Sequence, residues 1–226
     1  MKWAEDELLS IRERAYRYLK DLILEGEFQP GDRLIERELA TKLNISRTPI
    51  REALFRLESQ GFVKTVPRKG VIVTNVSEEE VIEVFTILSS LEVLAAKLAA
   101  QKMDEETQKV FDEKIRELEE LDQNGSEDFD NEHINMNLLL YKASKSPKLY
   151  EILSGLTDYI QMSANMGYET PGRRKESLRE HIQIMRALRD KEVEMAEYHT
   201  KIHIENSKKA YINFLEQQKE KRKSSR

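Results

Sequence analysis

The sequence predicts a mainly α-helical protein, in which a winged helix-turn-helix is followed by an all-α antiparallel helical bundle. Two observations indicate this fold class. Residues 36–70 read as two short helices followed by a basic turn between two apolar strands. From Ser77 onward, apolar residues recur at helical spacing, and Pro and Gly lie mostly between the helical segments. The predicted domains are residues 1–76 and residues 77–218, with a basic tail at 219–226.

The helix-turn-helix is predicted from the order of its parts. A short amphipathic helix from Arg37 to Lys42 is followed by a turn, and Ser46 is expected to cap a second helix that ends at Gln60. In such a unit the second helix enters the major groove of DNA, and its N-terminal residues reach the base edges. The basic turn that follows would form a two-stranded wing.

Two arginines at the start of the second helix are the candidate DNA readers. Arg47 and Arg51 are four residues apart and therefore share one helix face. A guanidinium group can donate two hydrogen bonds to a guanine edge or can bind a phosphate. The segment from Arg33 to Gly70 has nine Lys or Arg against four Glu, so it is basic within a chain of net charge −5. The alternative is that both arginines form an ordinary solvated helix face.

Composition narrows the class of protein. The chain has 226 residues, and 39% of them are hydrophobic, which is enough for a buried core. It has no cysteine, which excludes disulfide bonds and thiolate chemistry. The sequence has no apolar run of about 18 residues that would indicate a membrane span. The acidic N-terminal segment lacks the apolar stretch of a secretory signal. We therefore expect a cytoplasmic protein.

The first third of the chain resembles the N-terminal winged helix of the GntR family of bacterial transcription regulators. The matching residues are Pro30 to Leu34, Glu38 to Ala40, Ser46 to Leu54, Leu57-Glu58, Gly61-Phe62 and Arg68 to Gly70. The resemblance implies that Arg37, Arg47 and Arg51 contact DNA in and beside the major groove. It also implies that the wing around Gly70 enters the minor groove. The further contacts that we expect are Thr48, Arg68 and Lys69.

The helical part resembles the FCD effector domain of the FadR-type subfamily of the same family. The matching residues are Leu91-Glu92, Ala95-Ala96, Leu98 to Ala100, Ala143, Pro147, Leu149, Glu180-His181, Ile184, Ala187-Leu188 and His203. This resemblance implies a small-molecule effector, which would be an organic acid. One departure weakens that expectation. Many relatives use an arginine on ligand carboxylates one turn before the residue that matches Glu92, and here that position is Leu88. A long acyl chain in an apolar cavity is the alternative effector.

The resemblance further implies a site for a divalent metal, either Zn or Ni. In many relatives an Asp and a His one turn apart on one helix bind the metal, together with one His from each of two later helices. By position these residues fall on His133, Asn137, His181 and His203. The carboxylate is thus replaced by an imidazole and one imidazole by an amide, which is a poor ligand for Zn or Ni. Asp130, one turn before His133, is a candidate for the missing carboxylate. A metal-free polar pocket, or histidines that merely satisfy one another in the core, remain the alternatives.

The sequence therefore predicts a ligand-responsive transcriptional regulator, a repressor, that binds a palindromic operator as a homodimer. We expect a dimer because one recognition helix reads only a few base pairs. The metabolite would favour one placement of the two winged helices over another. Two alternatives stay open. One is a constitutive DNA-binding protein whose helical domain only dimerises. The other is a metal-dependent hydrolase, since His and Asp could activate water, but the chain has no recognisable catalytic motif and we expect no enzyme.

Overall fold

The structure is a computed structural model. It describes residues 9–75, 77–124, 129–164 and 172–224. The chain divides into two compact units, Met1–Ser77 and Glu78–Arg226, so the division lies at the start of the first long helix. None of the helices in the described ranges is long and apolar enough to cross a membrane.

The first unit combines helices with one small sheet. In its described part the elements are α1 (Ile11–Leu24), β1 (Arg33–Leu34), α2 (Glu36–Leu43), α3 (Arg47–Ser59), β2 (Val63–Val66) and β3 (Gly70–Val73). The strands form an antiparallel sheet in the order β1-β3-β2. The sequence predicted only the two strands of the wing. The additional strand exists because Arg33 and Leu34 pair with Ile72 and Val71, and two residues are too few to show a strand pattern in the sequence.

The turn between α2 and α3 sets the position of the second helix. Asn44 ends α2 in the left-handed conformation, with φ 53° and ψ 46°, which asparagine tolerates better than most residues. Ser46 occupies the N-cap position of α3 as predicted, but its side chain makes no capping hydrogen bond. The helix is instead fixed by its buried face, which consists of Pro49, Ile50, Ala53, Leu54 and Leu57. That face leaves the opposite side of α3 in solvent.

The second unit is an all-helical bundle. Its helices are α4 (Glu78–Gln101), α5 (Glu105–Asn124), α6 (Phe129–Ala143), α7 (Pro147–Ala164), α8 (Arg173–Arg189) and α9 (Val193–Ser224). Helix α4 packs against α6, α7, α8 and α9 and therefore lies at the centre of the bundle. Fully buried large side chains from several of these helices fill its core, among them Phe111, Leu118, Met136, Tyr141, Leu153 and Leu188.

The C-terminal end differs from the prediction. A basic tail was expected at 219–226, but α9 continues through Ser224. The sequence KEKRKS consists mostly of residues with good helix propensity, so nothing in it ends the helix. Lys219 also forms an ion pair of 2.5 Å with Glu78 at the start of α4. Residues 225 and 226 lie outside the described part of the chain.

Candidate DNA-binding face and effector site

The predicted DNA readers lie on the solvent side of the helix-turn-helix. Arg47 and Arg51 are 60% and 66% exposed at the start of α3. Thr48 is exposed beside them, and Arg37 is exposed on α2. The fold thus presents Arg47, Thr48 and Arg51 to solvent at the N-terminal end of the recognition helix, where a major groove would be contacted, and presents Arg37 to solvent on α2.

One acidic residue that the sequence prediction did not assign to the site holds both arginines. Arg51 donates from Nε to Oε1 of Glu36 and from Nη2 to Oε2, each at 3.1 Å. Arg47 donates from Nη2 to the same Oε2, also at 3.1 Å. The hydrogen bond from Arg51, together with that from Arg47, lowers the pKa of the Glu36 carboxyl. Glu36 therefore orients the two guanidinium groups before any DNA is bound.

The recognition helix is supported from behind by α1. The guanidinium carbon of Arg56 lies 3.6 Å from the centre of the Tyr16 ring, and Arg56 Nη1 donates to Glu13 at 2.7 Å. The hydroxyl of Tyr16 donates to the side chain of Gln60 at 2.7 Å. These contacts anchor the C-terminal half of α3 and leave its N-terminal half available to a ligand.

The predicted wing residues lie in the hairpin between β2 and β3. Arg68 and Lys69 are exposed, and Gly70 has φ +82°, a conformation that favours glycine. The Arg33 side chain lies against this turn, because a Cβ on Gly70 would be 3.4 Å from Arg33 Nε. Arg33 is thus a further cation at the wing. From the sequence, Arg33 was assigned only to the basic segment, because its pairing with β3 has no signal in the sequence.

In the helical unit the structure brings three of the predicted metal residues together. His181 Nε2 lies 3.2 Å from the Asn137 side-chain oxygen, and the rings of His181 and His203 are 4.1 Å apart. All three residues are buried. His133 lies one turn before Asn137 on α6, and its side chain and that of Asp130 are outside the described part of the structure. Among the side chains that are described, no group of three or more His, Asp and Glu could hold a metal ion.

The hydrogen bonds identify Nδ1 as a donor in each of the two imidazoles. His181 Nδ1 lies 2.8 Å from the carbonyl oxygen of Ser177, and His203 Nδ1 lies 2.7 Å from Oε2 of Glu180. Both oxygens accept hydrogen bonds, so each Nδ1 is the donor, and Nε2 of His203 carries the lone pair of its neutral ring. Nε2 of His181 faces a further acceptor, the side-chain oxygen of Asn137 at 3.2 Å, so a metal ion between these two atoms would take the place of a proton on Nε2. Metal-binding histidines commonly have their second nitrogen anchored in this way. His203 therefore presents Nε2 to a metal, and His181 Nε2 and the Asn137 oxygen are two ligand atoms that a metal between them would bind, with the amide as the weaker ligand.

Glu180 connects the imidazoles to a buried arginine. Arg173 donates from Nη1 and Nη2 to the two oxygens of Glu180 at 2.9 and 2.8 Å, and Asn206 donates to the same carboxylate at 2.7 Å. Burial would raise the pKa of Glu180, but the hydrogen bonds from His203 and Arg173 outweigh it and lower the pKa to about 2. Burial lowers the pKa of His203 despite the adjacent carboxylate. The pair is therefore a carboxylate beside a neutral imidazole at neutral pH.

A fully buried acid lies elsewhere in the bundle. Glu92 on α4 is hydrogen-bonded to the hydroxyl of Tyr141, which also contacts Thr157 at 2.9 Å. Burial raises the pKa of Glu92 to about 7, although the Tyr141 hydrogen bond acts in the opposite direction. Leu88, one turn earlier, is buried in the apolar core.

Neither Arg173 nor Glu180 was assigned to a site from the sequence, because a polar residue on a helix is usually exposed.

A groove between α8 and α9 borders the polar cluster of Arg173, Glu180 and the two histidines. Its volume is about 520 Å³. Its lining residues are Arg173, Glu176, Arg179, Glu180, Asn206, Lys209, Ala210 and Asn213. Arg173 and Glu180 thus face the groove on one side, while Glu180 contacts His203 on the other.

Comparison with known proteins agrees with both halves of this description. The family model "Bacterial regulatory proteins, gntR family" matches residues 11–73, and the FCD domain model matches residues 83–206. The chain is 32% identical over 207 residues to an uncharacterized HTH-type transcriptional regulator, YdhC of Bacillus subtilis, which covers 91% of this chain and 92% of that protein. It is 30% identical to the HTH-type transcriptional regulator McbR of Escherichia coli, over 78% of this chain and 81% of McbR.

A solved structure and a third relative extend the comparison. The structure of E. coli McbR/YncC superposes with a TM-score of 0.76 and 26% identity, covering 93% of this chain and 99% of that one. The HTH-type transcriptional repressor RspR of E. coli is 23% identical over 83% of this chain and 82% of RspR. The relatives are transcriptional regulators and not enzymes, which answers the hydrolase alternative. The chain belongs to the GntR family of bacterial regulatory proteins and is a DNA-binding transcriptional regulator in which an FCD domain follows the winged helix.

Proposed function

We propose that this regulator is a ligand-responsive repressor that binds a palindromic operator as a homodimer and is controlled by a small organic acid. The observation that carries this proposal is a polar cluster in which Asn137, Arg173, His181 and His203 are buried and Glu180 is partly buried. Burying polar and charged groups costs free energy unless they are paired. A domain that served only for dimerisation would have no use for such a cluster, whereas a ligand site needs polar groups that fix the orientation of its ligand.

A homodimer is supported by an apolar stripe on α4. Ile87 and Leu94 are 44% and 43% exposed and lie seven residues apart, so they share one helix face. Val84 and Leu91 lie between and beside them at heptad spacing and are only partly buried. A second copy of the chain is the occupant we propose, because two winged helices are needed to read the two halves of a palindrome.

A metal ion is a further part of the proposal. His181 and His203 would bind Zn or Ni through Nε2, with Asn137 beside them and with His133 and Asp130 as the remaining candidates from the sequence. Such an ion would supply positive charge and open coordination positions for the oxygens of an acid. Repression is supported by the name of one relative, the repressor RspR.

The experiment begins with selection of an operator from a random DNA library by the full chain. Operator affinity is then measured with and without each member of a set of small organic acids, and the same acids are tested for a shift in melting temperature. We expect at least one acid both to stabilise the protein and to change operator affinity, since a ligand shifts an equilibrium only by binding its two states unequally. Stabilisation by none of the acids, with constant operator affinity, would support the constitutive alternative.

A further inference from the structure

Arg173 is the only Lys or Arg that is buried among the residues whose burial is described. Its side chain is 5% exposed at the start of α8. The outer fork of its guanidinium, formed by Nη1 and Nη2, is taken up by the two oxygens of Glu180. That pairing compensates for burying the charge, so the arginine is held in one orientation.

The side edge of the same guanidinium is formed by Nε and Nη2, and only Nη2 makes a hydrogen bond among the described residues. Nη2 also donates to the hydroxyl oxygen of Ser207 at 3.0 Å. Nε, on the same edge, is buried and has no hydrogen-bond partner among the described residues. Buried donors in native proteins are nearly always satisfied, and an exception indicates a missing acceptor. Ser207 accepts from Arg173, so its own hydrogen is available to donate to the same acceptor.

The charges of the α8–α9 groove favour an anion as that acceptor. Its cationic lining residues are Arg173, Arg179 and Lys209, against Glu176 and Glu180. Arg179 is paired with Asp122 at 3.1 Å, so Lys209 is the second cation that we assign to the site. Glu180 already accepts four hydrogen bonds, from Arg173 twice, from Asn206 and from His203. Its charge is therefore compensated within the protein and opposes an anion less than an exposed carboxylate would.

We infer that the side edge of Arg173, with Ser207 and Lys209, binds the oxyanion of a small acidic metabolite in this groove. The inference rests on the proposed function and names the group that holds the effector. Arg173 would supply, from α8, the guanidinium that is absent at Leu88 on α4. The free Nε of Arg173 and the hydroxyl of Ser207 are two neighbouring donors, which suit a carboxylate or a phosphate, because each presents more than one acceptor oxygen.

The test is isothermal titration of the full chain at constant ionic strength with three probes. Succinate represents a carboxylate, inorganic phosphate the alternative oxyanion, and succinamide an uncharged molecule of the same size as succinate. We expect saturable binding of one anion per chain and no binding of succinamide. The anion that binds with the higher affinity shows whether the site prefers a carboxylate or a phosphate. Binding of succinamide with the affinity of succinate, or saturable binding of neither anion, would overturn the inference.

Four variants locate the binding. Arg173→Lys keeps the positive charge but removes the side edge, and it should weaken anion binding about tenfold or more. Ser207→Ala and Lys209→Gln should each weaken it several-fold. Lys201→Gln, an exposed position on the same helix outside the groove, should leave it unchanged. An unchanged affinity in the first three variants would contradict the site.

Two further comparisons keep the outcomes distinct. If Arg173→Lys fails to fold, the double variant Ser207→Ala with Lys209→Gln decides alone, because neither side chain is fully buried. If the anion binds as described but operator affinity does not change, the binding site stands and the ligand-responsive function is wrong. If operator affinity responds to an acid in the parent and equally in all four variants, the function stands and this site is wrong.

Discussion

Arg51 places both donors of its side edge on the two oxygens of Glu36, each at 3.1 Å. Because Glu36 also accepts from Arg47, one carboxylate fixes both recognition arginines and adds a negative charge where DNA phosphates would approach. We expect Glu36→Gln to bind mixed-sequence DNA about two- to fivefold more tightly at 0.1 M salt, since a repulsive charge is removed. The ratio of operator to mixed-sequence affinity should fall, because the arginines are no longer held in place.

Glu38→Gln is the matched control for this prediction. Glu38 is exposed on the same helix, and its substitution removes the same charge. Fluorescence anisotropy at several salt concentrations should show a similar gain in mixed-sequence affinity with no change in the affinity ratio. If both variants change the ratio equally, the carboxylate acts only through its charge.

The exposed arginines and the wing lysine should have different effects on DNA binding. Arg47→Ala and Arg51→Ala should each lose roughly 1–3 kcal/mol of operator affinity if these arginines, at the start of the recognition helix, contact base edges as predicted. Lys69→Ala should weaken binding to all sequences alike and should reduce the salt dependence, as expected for a phosphate contact. Salt titrations with operator and mixed-sequence DNA measure both effects. An Arg51→Ala protein that binds operator like the parent at matched salt would remove Arg51 from the recognition set.

Metal binding can be measured without knowledge of the effector. Elemental analysis of untagged protein, after incubation with Zn or Ni and desalting, should find close to one ion per chain. Binding should weaken as the pH falls below about 6, because a protonated imidazole cannot bind a metal. His181→Ala or His203→Ala should abolish binding and lower the melting temperature. His199→Ala, on α9 beside Tyr198, is the control and should bind normally. Metal-free protein in all cases would leave the cluster as a site for an organic ligand alone.

The buried acid on α4 should make stability depend on pH. The folded pKa of Glu92 is about 7, above its ordinary value of 4.5. Its stabilising contribution is therefore complete below pH 4.5 and is lost as the pH rises through 7. Glu92→Gln should match the parent near pH 5 and exceed its stability at pH 8 by roughly 1–3 kcal/mol. Denaturant unfolding across this range measures the difference. Parallel curves for both proteins would mean that Glu92 does not titrate there.

The apolar stripe on α4, which includes Ile87 and Leu94, is the proposed dimer interface. Ile87→Glu with Leu94→Glu should shift sedimentation at micromolar concentration from dimer to monomer, since two charges cannot be buried in an apolar interface. Val110→Glu is the control, because Val110 is 45% exposed on α5 and lies outside the stripe. A parent protein that sediments as a monomer would contradict the homodimer itself.

The helices were predictable from the sequence because apolar spacing and helix breakers act within a few residues. The bounds of α3 and the start of α4 were therefore predicted to within about one residue. The contacts that shape the sites were not. Glu36 is 11 and 15 residues from the arginines that it holds, and only the fold brings them together. Arg173 and Glu180 lie two turns apart on one helix, where sequence rules expect solvated side chains.

Glu180 gives the two ends of the polar cluster a common member, because Arg173 and His203 both donate to its carboxylate. An anion bound by Arg173 and a metal bound by His203 would therefore not bind independently of each other. Reciprocity requires that if a metal on the imidazoles changes the affinity of the groove for an anion, the anion changes the affinity for the metal by the same factor. Protein purified in a chelating buffer would then report a different dissociation constant for the anion than metal-loaded protein, and the difference would measure the coupling through this one carboxylate.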